Sequence, residues 1–172
     1  IQSASNKVLK DMKRLYKKET VEKIISRFRE EFPDITIATD IIIGYPTETE
    51  KEFEQSMEFV KEFRPDVLNL SKFSKHKGTA AENLKDIDIK IVNKRNLDIM
   101  REHRRTALEN KQKFNKKEIK VFVNKKLNEN GFFEARDENY NIVLIPMTNE
   151  NKNILGKNIK VLIEKTGVHH MI

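Results

Sequence analysis

The first half of the chain alternates between amphipathic helical patterns and short runs of β-branched residues. Ser5 is placed to cap a helix whose apolar positions continue to Tyr16, and a second helix is predicted near residues 20–32, where Pro33 ends it. The run over residues 35–43 is almost entirely apolar and β-branched. Such a run is typical of a parallel strand that is covered on both faces.

The alternation of helix and strand continues to residue 73. Residues 44–46 break the first strand, and Thr49 with Glu52 forms a capping box that begins the next helix. A second strand is predicted over residues 67–73. This order of elements, with short connections, predicts a parallel α/β layer. Because two strands are too few for a closed sheet, we expect partner strands from upstream of Ile1 or from another chain.

A long polar helix is predicted over residues 88–115. Its apolar stripe is thin and includes Ile89, Val92 and Leu97. The remaining surface of this helix is expected to carry a cluster of arginines, namely Arg95, Arg101, Arg104 and Arg105. The helix is therefore expected to present a basic surface.

From residue 118 the apolar period changes to two. Four short strands are predicted, over residues 119–123, 131–136, 141–145 and 158–163. Turn residues separate them, and Asn130 with Gly131 is the hairpin signal between the first two. Short strands at this spacing predict a small antiparallel barrel, the architecture of oligonucleotide-binding folds among others.

Composition limits what these elements can do. The 172 residues are 37% hydrophobic and 35% charged, and no apolar run is long enough to span a membrane. The chain has no cysteine, so these residues alone can build neither disulfides nor thiolate-ligated iron–sulfur sites. It begins at Ile1 without a signal peptide, and we expect this start to lie inside a longer protein.

The net charge of +7 is unevenly distributed. Residues 1–18 carry six basic residues against one acidic residue, and residues 85–117 carry eleven against five. Two basic helical stretches suggest a polyanionic partner such as RNA. Ordinary solvated helices in a lysine-rich protein would give the same counts, so charge alone leaves both interpretations open.

Three loops combine small residues with hydrogen-bonding side chains. They cover residues 2–5, 40–48 and 73–79, where parallel strands would end on the face that carries the sites of α/β barrels. Gly44 allows a ligand to approach the backbone. The basic loop of residues 75–79 is either a phosphate site or a solvated turn.

Two carboxylates in these loops are candidate ligand groups. Glu48 either contacts a ribose hydroxyl or an amine, or only favours the start of the following helix. Asp40 interrupts an apolar strand, and a buried carboxylate needs partners, which are either a ligand or a neighbouring backbone N–H. The sequence shows neither metal-ligand spacing nor a catalytic triad.

The same loops resemble the methylthiotransferase family of radical S-adenosylmethionine enzymes. The family's Gln-Ser-Gly-Ser-Asn stretch corresponds to residues 2–6, and the Leu, Lys, Met and Arg that follow it correspond to Leu9, Lys10, Met12 and Arg14. The family's Thr-Asp-Ile-Ile-Val-Gly-Phe/Tyr-Pro stretch corresponds to residues 39–46. The form Gly-Tyr-Pro-Thr-Glu-Thr is most similar to the archaeal and eukaryotic branch. Residues 73–81 match the loop after the family's sixth strand, and Arg136 and Tyr140 match its C-terminal TRAM domain.

The resemblance implies an α/β fold with an appended β domain. Residues 1–84 would be the C-terminal half of a parallel (β/α)6 partial TIM-type barrel, and residues 85–117 a basic linker helix. Residues 118–172 would be the TRAM domain, a small antiparallel β-barrel that binds RNA.

The resemblance also implies an activity for the whole enzyme. It would add a methylthio group to C2 of N6-threonylcarbamoyladenosine, next to the anticodon of tRNA, by radical S-adenosylmethionine chemistry with two 4Fe–4S clusters. The cysteines that ligate those clusters are absent here, so this chain alone is expected to be inactive. The expected partner is the anticodon stem-loop of tRNA, the expected compartment is the cytoplasm, and the open barrel edge invites self-association.

Site residues follow from the resemblance together with the side-chain chemistry. The residues expected to bind S-adenosylmethionine are Gln2, Ser3, Asp40, Gly44, Tyr45, Glu48 and Ser74. The residues expected to contact the substrate or the RNA are His76, Lys125, Lys126, Phe133, Arg136, Tyr140 and Lys165. Phe133 is expected to face outward from its strand, in preference to Phe132.

Two positions depart from the family pattern, and two other functions remain open. His76 stands where the family usually has arginine, and Ala4 replaces a glycine. The first alternative is a stand-alone RNA-binding protein that keeps a degenerate barrel as a scaffold. The second is a phosphate-binding metabolic enzyme that uses the loop of residues 75–79.

Overall fold

The computed structural model describes residues 1–127, 129 and 131–172. The chain forms two compact units, Ile1–Ala107 and Leu108–Ile172. Within the described residues, no helix combines the length and the apolar character that a bilayer crossing requires. Asn130, half of the predicted hairpin signal, lies outside the described residues.

Four helices and six strands are described. The helices are α1 (Asn6–Asp11), α2 (Lys18–Glu31), α3 (Glu50–Phe63) and α4 (Ile89–Gln112). The strands are β1 (Ala38–Ile43), β2 (Val67–Lys72), β3 (Glu118–Leu127), β4 (Phe132–Arg136), β5 (Ile142–Pro146) and β6 (Asn158–Leu162).

The first unit contains the predicted parallel strand pair. Strands β1 and β2 are parallel, with Asp40 opposite Asn69. Ile41 and Ile43 are buried on one face of β1, in a core shared with Phe59 of α3. The expectation that β1 is covered on both faces is wrong, because Asp40 and Asn69 are exposed on the other face, which no layer of the described residues covers.

Helix α1 is shorter than predicted. The cap is confirmed, since the Ser5 hydroxyl accepts a hydrogen bond from the Val8 amide at 3.5 Å. The helix ends at Asp11, however, and Lys13 adopts a left-handed conformation with φ of 56°. Leu15 is therefore fully exposed and does not continue the buried face of α1.

The structure confirms the predicted end of α2 and the predicted start of α3. Phe32 is the C-cap of α2, next to Pro33 as predicted. Helix α3 begins with the capping box, in which the Glu52 carboxylate accepts a hydrogen bond from the Thr49 amide at 3.0 Å. The apolar face of α2 is only partly covered, and Ile24 and Phe28 remain about half exposed.

We expect Thr49→Ala to lower the free energy of unfolding of the first unit by about 1 kcal/mol at neutral pH, the usual effect of losing an N-cap. The hydrogen bond from Thr49 lowers the pKa of Glu52. A carboxylate whose pKa is lower in the folded state stabilises the fold at pH values above its unfolded-state pKa. This stabilisation is lost as the pH falls through the folded-state pKa. The free energies of unfolding of the variant and the parent should therefore differ less in acid than at neutral pH. Urea unfolding of both proteins under the two conditions measures this difference.

Thr20→Ala is the matched control for this cap, because Thr20 is exposed within α2. It should change the free energy of unfolding by no more than about 0.5 kcal/mol. An equal loss in both variants would show that the capping box of α3 does not stabilise the unit.

Helix α4 has a different buried face from the one predicted. Ile99 is fully buried in the core of the first unit, and Val92 is also buried, whereas Ile89 and Leu97 are mostly exposed. Arg95 is buried as well, so its assignment to the exposed arginine cluster is wrong. The physical reason is helical spacing: Arg95 lies three residues after Val92 and four before Ile99, on the same face.

The second unit is a curled antiparallel sheet with the strand order β5-β4-β3-β6. Its inward-facing side chains form one apolar core, which includes Val121, Val123, Phe133 and Ile163. The end of the chain returns to this sheet, where the Met171 amide donates to the Ile142 carbonyl at 2.9 Å. The prediction of four short strands is confirmed, and the sheet they form is a half-barrel.

Candidate functional site

The first unit contains a cavity of about 390 Å³ where three chain segments meet. These segments are the end of α1, the loop after β1 and the loop after β2. The residues that line the cavity are Asp11, Met12, Lys13, Arg14, Ile42, Tyr45, Phe73, Ser74, His76, Gly78, Thr79, Ala80 and Ala81. A volume of this size is within the range of small-molecule sites.

One wall of the cavity is aromatic. The rings of Tyr45 and Phe73 pack edge to face, with their centroids 4.9 Å apart. The Tyr45 hydroxyl donates to the Asp11 carbonyl at 3.0 Å, and burial raises the pKa of Tyr45 above its usual value. The neutral hydroxyl therefore holds the ring in place, and the nearly buried ring forms part of the cavity wall.

The rim of the cavity is cationic. Lys13, Arg14 and His76 are exposed, and none of their side chains forms a hydrogen bond or ion pair with another described residue. The only acidic residue in the lining, Asp11, accepts a hydrogen bond from the Thr47 hydroxyl. The lining therefore carries the positive charges of Lys13 and Arg14 together with the negative charge of Asp11.

Glu48 and Arg95 form a buried ion pair behind this site. The Glu48 carboxylate accepts from the Arg95 guanidinium and from the Gly44 amide, each at 2.9 Å. Arg95 also donates to the Glu48 carbonyl at 3.1 Å and to the exposed Glu50 at 3.0 Å. Burial raises the pKa of Glu48, while the Gly44 amide and Arg95 act in the opposite direction. The pair connects α4 to the loop that carries Tyr45.

The structure brings some of the predicted cofactor residues together and separates others. Tyr45 and Ser74 line the cavity, and Ser74 also lines a neighbouring cavity of about 410 Å³ together with Gly44. Gln2 instead contacts the Tyr16 hydroxyl through its side chain. Ser3 is fully buried, where its hydroxyl accepts from a backbone amide at 3.1 Å.

The two candidate carboxylates lie outside the first cavity. Asp40 is exposed and accepts from the Asn69 side-chain amide at 2.9 Å, so the expectation of a buried carboxylate is wrong. The cause is the open face of the two-stranded sheet. Glu48 has the protein partners described above, and its predicted ribose contact stays a prediction.

In the second unit, one predicted RNA contact is contradicted. Phe133 is fully buried in the core, whereas Phe132 is half-buried, so the outward orientation expected for Phe133 is wrong. Adjacent residues of a strand face opposite sides of the sheet, and Phe133 is on the side that faces the apolar core.

The other predicted RNA contacts are accessible. Lys125, Lys126 and Lys165 are exposed, and Tyr140 is 73% exposed. The Arg136 guanidinium lies over the Tyr140 ring at 4.8 Å and donates to the Tyr140 carbonyl at 3.1 Å. These residues provide positive charge and one exposed aromatic ring on the same unit.

Sequence reasoning did not identify three residues that the structure places at or behind the site. Lys13 follows a helix that was expected to continue, so its position at a cavity rim could not be predicted from the pattern. Arg14 had a signal, because it is one of the residues that carry the family resemblance. Arg95 had a usable signal, because it shares a helical face with Val92 and Ile99.

No protein-family model matches the chain. Individual relatives do. The chain is 36% identical over 172 residues to the probable threonylcarbamoyladenosine tRNA methylthiotransferase of Archaeoglobus fulgidus, covering 100% of this chain and 39% of the relative. It is 31% identical over 172 residues to the threonylcarbamoyladenosine tRNA methylthiotransferase of Homo sapiens, covering 99% of this chain and 29% of the relative.

A relative with a different name is also similar. The tRNA-2-methylthio-N(6)-dimethylallyladenosine synthase of Petrotoga mobilis is 30% identical over 166 residues, which cover 95% of this chain and 37% of the relative. In all three comparisons the chain spans less than two fifths of the length of the relative. The resemblance predicted from the loop motifs is confirmed.

Proposed function

Because this chain belongs to the tRNA methylthiotransferase family, we propose that it forms part of an enzyme that adds a methylthio group to tRNA. The substrate is N6-threonylcarbamoyladenosine next to the anticodon, and the carbon that receives the group is C2. The observation that carries this proposal is the similarity over the whole chain to relatives that bear this substrate in their names.

The proposed enzyme uses the chain as three parts. Residues 1–84 contribute to a partial (β/α)6 barrel, residues 85–117 form the linker helix, and residues 118–172 form the TRAM domain. The parallel pair β1–β2 with its open face supports the first part, and the curled half-barrel supports the last. The self-association and the cytoplasmic location expected from the sequence stay predictions.

The residues present fit one proposed cofactor and not the other. The aromatic wall at Tyr45 and the hydroxyl of Ser74 suit S-adenosylmethionine, which supplies the methyl group and the radical chemistry when bound. A 4Fe–4S cluster does not fit, because the chain has no cysteine and no described cluster of His, Asp and Glu side chains suits a metal. Both proposed clusters need cysteines from outside this chain, and we expect the chain alone to be inactive.

The proposed role of the second unit is to bind the anticodon stem-loop. The exposed lysines can contact phosphates, and the exposed ring of Tyr140 can stack on an unpaired base. Arg136 supports that ring from one side at 4.8 Å, which leaves the other side for a base.

We expect the double variant Lys125→Gln/Lys126→Gln to bind tRNA more weakly and with less dependence on salt. Each phosphate contact contributes close to one counterion, so the slope of log affinity against log salt should fall by about 2 when both are lost. Fluorescence anisotropy of labelled tRNA with the chain, measured over a series of salt concentrations, gives both values.

Lys94→Gln provides the control, because the Lys94 amine is paired with Asp98 at 2.9 Å on helix α4. It should leave the slope unchanged. If the double variant and the parent have the same slope, the second unit does not bind RNA through this strand. If tRNA binds but the longer protein containing this chain carries no cluster-ligating cysteines, the stand-alone RNA-binding function replaces the enzyme.

A further inference from the structure

The outer face of the sheet in the second unit carries an exposed aromatic side chain that the loop motifs did not indicate. Phe122 on β3 is 45% exposed, and Tyr140, in the turn after β4, is 73% exposed. We propose that Phe122 and Tyr140 form one stacking surface for two unpaired nucleotides of RNA, with Arg136 as the residue that adjoins both. This inference rests on the proposed function and deepens it, because it adds Phe122 to the RNA surface and selects unpaired RNA over duplex.

The strand register places Phe122 directly beside Arg136. Strands β3 and β4 are antiparallel, with Phe122 opposite Arg136 and Val123 opposite Ala135. Val123 and Ala135 are fully buried, so Phe122 and Arg136 point to the outer face. On the other side, Phe122 is opposite the exposed Asn158 of β6. The Phe122 ring therefore lies between polar neighbours, and neither of them covers it with apolar surface.

Arg136 connects this position to the Tyr140 ring. Its guanidinium lies over that ring at 4.8 Å from the centroid. It also donates to the Tyr140 carbonyl at 3.1 Å and to the Glu134 carboxylate at 3.0 Å. The guanidinium is thus engaged by the ring and by two protein acceptors, and its role is to hold the ring in place.

The turn that carries Tyr140 is fixed before RNA binds. Tyr140 has a φ of 67°, and its amide donates to the Asp137 carbonyl at 3.1 Å. The Asp137 carboxylate accepts from the Asn141 backbone amide at 2.7 Å and from the Asn141 side-chain amide at 2.9 Å. Because the turn is already ordered, stacking on Tyr140 loses little conformational freedom of the protein.

The charges of the outer face suit the backbone of a nucleic acid. Within the described strands this face carries four basic and two acidic side chains, namely Lys120, Lys125, Arg136 and Lys160 against Glu118 and Glu134. Glu118 is paired with Lys160 at 2.9 Å, and Glu134 with Arg136. Lys120 and Lys125 therefore remain available for phosphates. The rings select unpaired bases, because the bases of a duplex are already stacked on each other.

A fluorescence titration of the 172-residue chain tests the stacking directly. The chain has no tryptophan, so Phe122→Trp introduces a single indole at the proposed site. Its emission should fall as a short single-stranded oligoadenylate binds, because a stacked base quenches indole fluorescence. A blunt RNA duplex of the same length should leave it unchanged. Phe32→Trp is the matched control, since Phe32 is 58% exposed in the first unit, and its emission should not respond to either RNA.

The affinity of a second variant separates stacking from charge. Phe122→Leu keeps an apolar side chain but removes the ring, so it should bind oligoadenylate about five- to tenfold more weakly than the parent. The slope of log affinity against log salt should not change, because no charge is lost. Phe122→Tyr keeps the ring and should bind within about twofold of the parent. Phe32→Leu should have no effect.

Three results would overturn the stacking surface. They are an emission of Phe122→Trp that ignores oligoadenylate or falls equally with the duplex, a Phe122→Leu variant that binds as tightly as the parent, and an equal loss of affinity for oligoadenylate and duplex. If Lys125→Gln/Lys126→Gln lowers the salt slope of tRNA binding while Phe122→Leu changes nothing, the stacking surface alone is wrong. A chain that binds no RNA overturns both this inference and the proposed RNA-binding role.

Discussion

We expect Arg95→Met to lower the free energy of unfolding of the first unit by about 3–5 kcal/mol, the usual effect of removing one partner from a buried ion pair. Both side chains of the Arg95–Glu48 pair are almost completely buried. Methionine fills much of the space but leaves the Glu48 carboxylate with the Gly44 amide as its one hydrogen-bond donor among the described residues. A buried carboxylate with so few partners is costly.

Amide hydrogen exchange measures this loss within the unit concerned. Protection of the Ile41 and Ile43 amides, in the core of the first unit, should fall, while protection of Val123 in the second unit serves as the internal reference. Arg101→Met on the exposed surface of the same helix should change protection by about 0.5 kcal/mol or less.

A second variant distinguishes the lost pair from poor packing of methionine. Arg95→Met/Glu48→Gln removes the buried charge as well, so it should be more stable than Arg95→Met alone. A double variant that is less stable than the single one would mean that Arg95 acts through packing, such as its contact with the Phe53 ring at 5.2 Å, and not through Glu48.

The sequence predicted elements where local rules act alone. The capping box at Thr49 and the end of α2 beside Pro33 depend on residues within one turn, and both are confirmed. The parallel order of β1 and β2 was also predictable, because the connection between them contains a helix.

The wrong predictions concern helices and strands whose burial or length depends on the layers that pack around them. The apolar run of β1 indicated a strand with two covered faces, but only one face is covered here, and Asp40 is exposed as a result. The apolar periodicity of α1 continued to Tyr16, yet the left-handed turn at Lys13 ends the helix. A helical pattern does not state which of its polar residues will be buried, and so Arg95 was misplaced.

The candidate site was predictable in part. Tyr45 and Ser74 were assigned from the family resemblance together with their side-chain chemistry, and both line the first cavity. Phe133 was assigned to the wrong side of its strand because two adjacent aromatic residues give no signal about which one faces the core. The rim needed tertiary structure, since Arg14 and His76 lie 62 positions apart in the chain and both line the cavity.

Gly44→Ala should lower the free energy of unfolding of the first unit by roughly 2–4 kcal/mol, from backbone strain and overpacking together. Gly44 has a φ of 81°, in the left-handed region that side chains disfavour. A Cβ atom at this position would lie 2.8 Å from Cγ2 and 3.0 Å from Cγ1 of Val92. The contact is too close for any rotation of the Val92 side chain to relieve it fully, because both methyl groups are near.

Two comparisons separate strain from the clash. Gly78→Ala meets the same kind of backbone conformation, with a φ of 77° and no atom within 4 Å, so it should cost only about 1–2 kcal/mol. Val92→Ala removes both methyl groups, so the double variant Gly44→Ala/Val92→Ala should be less destabilised than the sum of the two single variants. Additive losses would show that helix α4 does not limit the space at Gly44.

The Gly44 amide also donates to Glu48, so a real clash should additionally weaken the ion pair between Glu48 and Arg95. Hydrogen exchange of the amide at position 44 should therefore accelerate in Gly44→Ala but not in Gly78→Ala.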